Sequence, residues 1–104
     1  MIKHCVFMNC IETVDAQTHQ YIQDTLQELQ GNLCGMLDFG YGQNADFEAK
    51  SGDYDIGFVI SFSDKQALDE YIQHPTHEQL GARLVSMSVG GADGIMVFDI
   101  QTLE

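Results

Sequence analysis

One tyrosine and two histidines fall within seven residues, Tyr71-Ile72-Gln73-His74-Pro75-Thr76-His77, around the single proline of a 104-residue chain. Imidazoles give and take protons near neutral pH and a phenol donates a hydrogen bond. The chemistry open to this cluster is therefore general acid–base work or the holding of a polar ligand atom. Proline fixes its own φ, has no N–H and disfavours helix at the preceding residue, so one helix should end at His74 and another begin at Pro75. Histidines three apart share a face only on an unbroken helix. With Pro75 between them, one of His74 and His77 should point inward while the other caps the corner or faces solvent.

A third imidazole, His4, shares its strand face with Val6 and Met8, and Tyr71 follows Leu68 by three residues on the apolar stripe of its helix. His4 and Tyr71 should both point into the space between sheet and helices, where an unpaired polar group costs roughly 1–3 kcal/mol. Structural duty is open to the same residues: junction histidines tie down free carbonyls, and tyrosine hydroxyls anchor core edges. No spacing here matches a metal site, so no metal or other cofactor is expected. Gly40-Tyr41-Gly42 and Gly90-Gly91 lack the context of phosphate loops and read as bulge or turn.

The elements that must position these groups follow from periodicity. Residues 2–9 alternate as a strand with two apolar faces. Thr13 or Asp15 should cap a helix running to Gln30, with Ile22, Leu26 and Leu29 on its buried side and Gly31 as its stop. Residues 36–43 form a glycine-bent strand, 44–53 a polar loop, and Ile56, Phe58, Ile60 and Phe62 the clearest strand. Ser63 and Gln66 make a capping box for a helix over 64–73, a second helix runs from Thr76 to about Ser88, and Ile95–Ile100 is the last strand.

That order is the ferredoxin-like β-α-β-β-α-β fold, an α+β arrangement with a four-stranded antiparallel sheet and helices on one face. Cys5, Phe7, Val59, Met96 and Phe98 nevertheless place apolar groups on the helix-free face. Such a face finds a partner, so a homodimer of two facing sheets, an α+β barrel, is expected.

Sixteen acidic against four basic residues give a net charge of −12. That charge repels phosphate backbones and anionic lipid, so neither nucleic acid nor membrane is an expected partner. The apolar start is too short and too lightly charged for a signal peptide, no apolar run approaches the roughly 20 residues of a membrane span, and a cytoplasmic protein beginning at Met1 is expected. Cys5, Cys10 and Cys34 are odd in number and lack C-x-x-C spacing, which suits free thiols in a reducing compartment.

Met1-Ile2-Lys3-His4-Cys5-Val6-Phe7 resembles the first strand of the stress-responsive A/B barrel (Dabb) family, and Asp53 to Phe62 resembles its third. Tyr71 to His77 matches the family's Y-x-x-H-P-x-H signature, and Val97-Phe98-Asp99 is family-like. The resemblance covers essentially the whole chain and implies one Dabb domain over residues 1–104, dimeric, with a small apolar pocket between sheet and helices of each subunit. In the family's plant polyketide cyclases the second signature histidine and the tyrosine act as base and orienting group, with the first-strand histidine nearby. By that likeness His77, Tyr71 and His4 are the catalytic candidates. Val6, Met8, Ile22, Leu26, Phe58, Ile60, His74, Leu80 and Val97 are the ligand-binding candidates. Cyclase-like members carry aromatics where Ile22 and Leu26 stand here, so a pocket is implied but not the same substrate.

Three functions remain in view: a dimeric protein binding a small hydrophobic or aromatic molecule, a cofactor-free cyclase, lyase or monooxygenase using His77 as base, and a structural dimer with a filled pocket. An open apolar cavity of roughly 300 Å³ or more separates the first two from the third.

Overall fold

The computed structural model describes residues 1–103. Strand β1 (Ile2–Met8) lies inside the sheet, antiparallel to β3 (Ile56–Phe62) on one side and to β4 (Ile95–Gln101) on the other, while β2 (Met36–Gln43) pairs with β3. The strand order β2-β3-β1-β4 is the ferredoxin-like arrangement expected from the sequence pattern. Register fixes the faces: His4 stands opposite Ile60 and Asp99, Val6 opposite Phe58 and Val97, and Met8 opposite Ile56 and Ile95.

Helix α1 (Ala16–Asn32) opens at Asp15, whose carboxylate accepts the Thr18 N–H at 2.8 Å. It runs through Gly31 rather than stopping there, because the turn out of the helix is made by Leu33, which has extended backbone angles and packs against the core. Helix α2 (Lys65–Gln73) is capped by Asp64, which accepts the Ala67 N–H at 2.9 Å. The Ser63–Gln66 capping box therefore does not form: the chain places the stronger carboxylate acceptor one residue later, and Gln66 turns to Glu70.

Helix α3 (Pro75–Met87) ends at Ser88, whose hydroxyl donates to the Leu84 carbonyl. Gly90 and Gly91 follow with φ of 71° and 67°, left-handed values that glycine adopts without a Cβ penalty. They lead into a 3-10 turn over Gly91–Gly94, an element the sequence pattern does not announce.

Ile22, Leu26 and Leu29 of α1, Leu68 and Tyr71 of α2, and Leu80 and Leu84 of α3 pack on the inner face of the sheet. Fully burying one such aliphatic side chain contributes about 1.5–3 kcal/mol. The opposite face carries no helix, and Val59 and Phe98 on it are 39% and 49% exposed, with Met96 and Ile100 also open. No helix among the described residues is long and apolar enough to cross a membrane.

Candidate functional site

The corner between α2 and α3 is built as the proline dictates. His74 has φ −69° and ψ 133°, the extended conformation that Pro75 imposes on its predecessor. Its N–H donates to the Tyr71 carbonyl at 3.1 Å, closing α2, and its Nδ1 accepts the Thr76 N–H at 3.1 Å, opening α3. His74, expected among the ligand-binding residues, is thus the joint between two helices and is not among the residues that line the cavity beside it. Both of its polar commitments lie along the backbone of the corner.

His77, one turn into α3, faces the other way. Its Nδ1 lies 3.0 Å from the Ile72 carbonyl, one of the acceptors left open at the end of α2. A carbonyl only accepts, so Nδ1 carries the proton and donates, and in the neutral ring Nε2 holds a lone pair. Burial lowers the His77 pKa below its ordinary value, helped by the nearby His4 and opposed by the Ile72 hydrogen bond. The neutral form is the one the site favours.

Tyr71 sits between these groups. Its ring lies 4.4 Å from that of His77, 5.1 Å from Phe62 and 5.6 Å from His4. The side chain is 0% exposed, and its hydroxyl has no hydrogen-bond partner among the described residues. Burial raises its pKa, so the phenol keeps its proton and is a donor. His4 is held from the far side by Asp99, its cross-strand neighbour, with Nδ1 2.5 Å from the carboxylate Oδ1. The carboxylate can only accept, which again places the proton on Nδ1.

Tyr71, His77 and His4 converge on one cavity of about 300 Å³ between α3 and the β1–β4 side of the sheet. Of the ligand-binding candidates, Val6, Phe58, Leu80 and Val97 line it, joined by Ile72, Gly81, Leu84, Val85 and Ile95. Met8, Ile22, Leu26 and Ile60 do not: all four are fully buried in the closed core. Helix α1 contributes nothing to this cavity, since its stripe seals the sheet elsewhere. Ile72, Val85 and Val97 are both lining and partly open to solvent, so they form the mouth. Neither Lys nor Arg is in the lining.

Asp99 is the residue that sequence reasoning missed, and a correct register between the first and last strands would have revealed it. A second pair, His19 and Tyr41, was also unforeseen. There Nδ1 lies 2.6 Å from the Tyr41 hydroxyl and Nε2 lies 3.2 Å from the Gln43 amide, so both ring nitrogens are engaged. A larger depression of about 650 Å³ lies on the helix-free face, away from His4, Tyr71 and His77.

The chain is similar over most of its length to several solved structures. A dimeric ferredoxin-like protein of unknown function from Jannaschia is 39% identical, with 97% of this chain and 98% of that one covered at a TM-score of 0.88. A Dabb family protein with a ferredoxin-like fold from Mesorhizobium loti is 19% identical over 99% and 97% of the two chains, with a TM-score of 0.72. The hydroxynitrile lyase of Passiflora edulis shares the fold at 12% identity, 99% and 94% coverage and a TM-score of 0.78. No curated protein matches the sequence. The stress responsive A/B barrel (Dabb) domain matches residues 2–102, and the chain belongs to that family.

Proposed function

We propose that the protein is a homodimer whose subunits each bind a small, uncharged hydrophobic or aromatic molecule in the cavity beside the α2–α3 corner. The observation that carries this reading is Tyr71, a lining residue of an apolar cavity whose buried hydroxyl has no hydrogen-bond acceptor among the described residues. An unanswered buried hydroxyl costs roughly 1–3 kcal/mol, and a ligand oxygen would answer it. His77 also lines the cavity, and its neutral ring keeps Nε2 as an acceptor, so a molecule with a hydroxyl or enol group suits the pair. With no lysine or arginine in the lining, a carboxylate or phosphate finds no counter-charge.

Dimerisation through the helix-free face accounts for the exposed Val59, Met96, Phe98 and Ile100. The 39% identical Jannaschia protein is described as dimeric, which supports the reading. Three free thiols, Cys5, Cys10 and Cys34, suit a cytoplasmic setting.

A second reading has its own observation, the fixed tautomer of His77. A neutral ring with its Nε2 lone pair toward the cavity could take a proton from an acidic C–H or O–H, while Tyr71 donates to the oxygen that gains charge and His4, set by Asp99, lies beside them. The protein would then be a cofactor-free cyclase or lyase.

Phenol and benzoate titrated into 15N-labelled protein test the binding reading. Phenol should shift the resonances of Tyr71, His77 and Leu80 while benzoate leaves them in place; equal response to both, or to neither, would overturn it.

A further inference from the structure

The geometry points to Phe47 as the residue that locks the dimer, seated in the groove on the helix-free sheet face of the other protomer; the inference rests on the dimer proposed above. Phe47, in the loop between β2 and β3, is 97% exposed, the most exposed aromatic ring among the described residues. The backbone that carries it is nevertheless held by hydrogen bonds. Phe47 occupies the second place of a turn closed by the Ala49 N–H to the Asp46 carbonyl at 3.0 Å. Asp46 Oδ1 accepts from the Lys50 and Ser51 N–H groups at 2.9 Å each, and the Asn44 amide donates to the Ser51 and Tyr54 carbonyls. Asp46 and Ala49 both adopt left-handed backbone, with φ of 47° and 57°. For alanine that conformation is unfavourable, so the loop spends stability to present a large apolar ring to solvent.

The same loop forms the rim of the groove. Lys50 and Tyr54 border it, Phe7, Val59, Met96 and Phe98 form its walls, and its volume is about 650 Å³. Its floor is open because β2 carries Gly40 and Gly42 on this face, and a Cβ built on either would meet nothing within 4 Å. The loop that carries the exposed Phe47 thus also supplies Lys50, Ser51 and Tyr54 to the border of this apolar depression. Two-fold symmetry lets two copies exchange ring for groove twice, which closes the assembly at a dimer.

Area supports the same occupant. Four strands of seven or eight residues present a face of about 20 Å by 23 Å, while a stable interface buries about 800 Å² on each partner. Groups at the rim must therefore contribute, and a single aromatic side chain can bury 150–250 Å².

The chain has no tryptophan, so Phe47→Trp gives a fluorophore that reports on this position alone. Light scattering and emission are followed together over a dilution series, and again with Gly42→Leu added to fill the groove. A dimer with blue-shifted emission that moves to the red on dilution, and with Gly42→Leu, supports the inference. Phe47→Asp should raise the dimer dissociation constant roughly tenfold or more. A dimer whose indole emits as solvent-exposed, or a dissociation constant unchanged by Phe47→Asp, overturns the role of Phe47 and leaves the dimer standing. A monomer at every concentration overturns both, and the scattering separates that case from the others.

Discussion

His4 and Asp99 stand opposite each other on adjacent antiparallel strands, with the imidazole Nδ1 2.5 Å from the carboxylate Oδ1. One residue is buried and the other partly open, so the pair connects the cavity wall to the solvent side of the edge strand β4. This relation sets which nitrogen of His4 carries the proton and how the ring meets Tyr71.

Asp99→Leu should release that constraint. The expected result is a change in the 15N shifts of His4, from a ring protonated at Nδ1 toward a mixture of tautomers, with little change in the melting temperature because Asp99 is nearly half exposed. Unaltered His4 nitrogen shifts would mean that strand geometry alone holds the ring.

His74 and His77 should separate cleanly by substitution. His74→Ala removes the side-chain cap of α3 and should cost about 1 kcal/mol in urea unfolding. Its affinity for a cavity ligand should stay within about twofold, since the ring does not line the cavity. A large loss of affinity with no loss of stability would reverse the two roles.

The pH dependence of stability should carry a signature of His77. Burial lowers its folded pKa below the ordinary value of about 6.5, so just under that pH the unfolded chain binds more protons than the folded one. Stability contributed by this group is complete above about pH 6.5 and falls as the pH drops through that value toward the lower folded pKa. His77→Gln should flatten the slope of unfolding free energy against pH in that window. An identical slope in the variant would assign the acid sensitivity elsewhere.

Much of this arrangement was legible in the chain. Period-two alternation in Ile56, Phe58, Ile60 and Phe62, the stripe Ile22-Leu26-Leu29 and the proline corner each follow from local stereochemistry, and they give the element order, the buried faces and the expectation that only one of His74 and His77 turns inward. The cavity walls were legible only in part. Val6, Phe58, Leu80 and Val97 were placed correctly by face, but face does not tell which half of the sheet a helix covers. Ile22 and Leu26 lie in the sealed core because α1 packs away from β4, and no periodicity records that choice. Asp99 escaped for a related reason, since its pairing with His4 spans 95 residues and depends on strand register. Asp15 caps α1 as expected, whereas the cap of α2 falls on Asp64 instead of Ser63 because a carboxylate is the stronger acceptor, and α1 runs two residues past Gln30.

Calorimetric titration of phenol into the wild-type protein and into Tyr71→Phe tests whether the Tyr71 hydroxyl and His77 Nε2 hold a ligand in the cavity. Tyr71→Phe removes one oxygen from a fully buried ring, so the variant should fold and be at least as stable, because a buried donor without an acceptor among the described residues is gone. Phenol affinity should fall about three- to tenfold, the worth of one hydrogen bond. Equal affinity in the two proteins, or no binding heat in either, would rule out a ligand held by Tyr71 in this cavity.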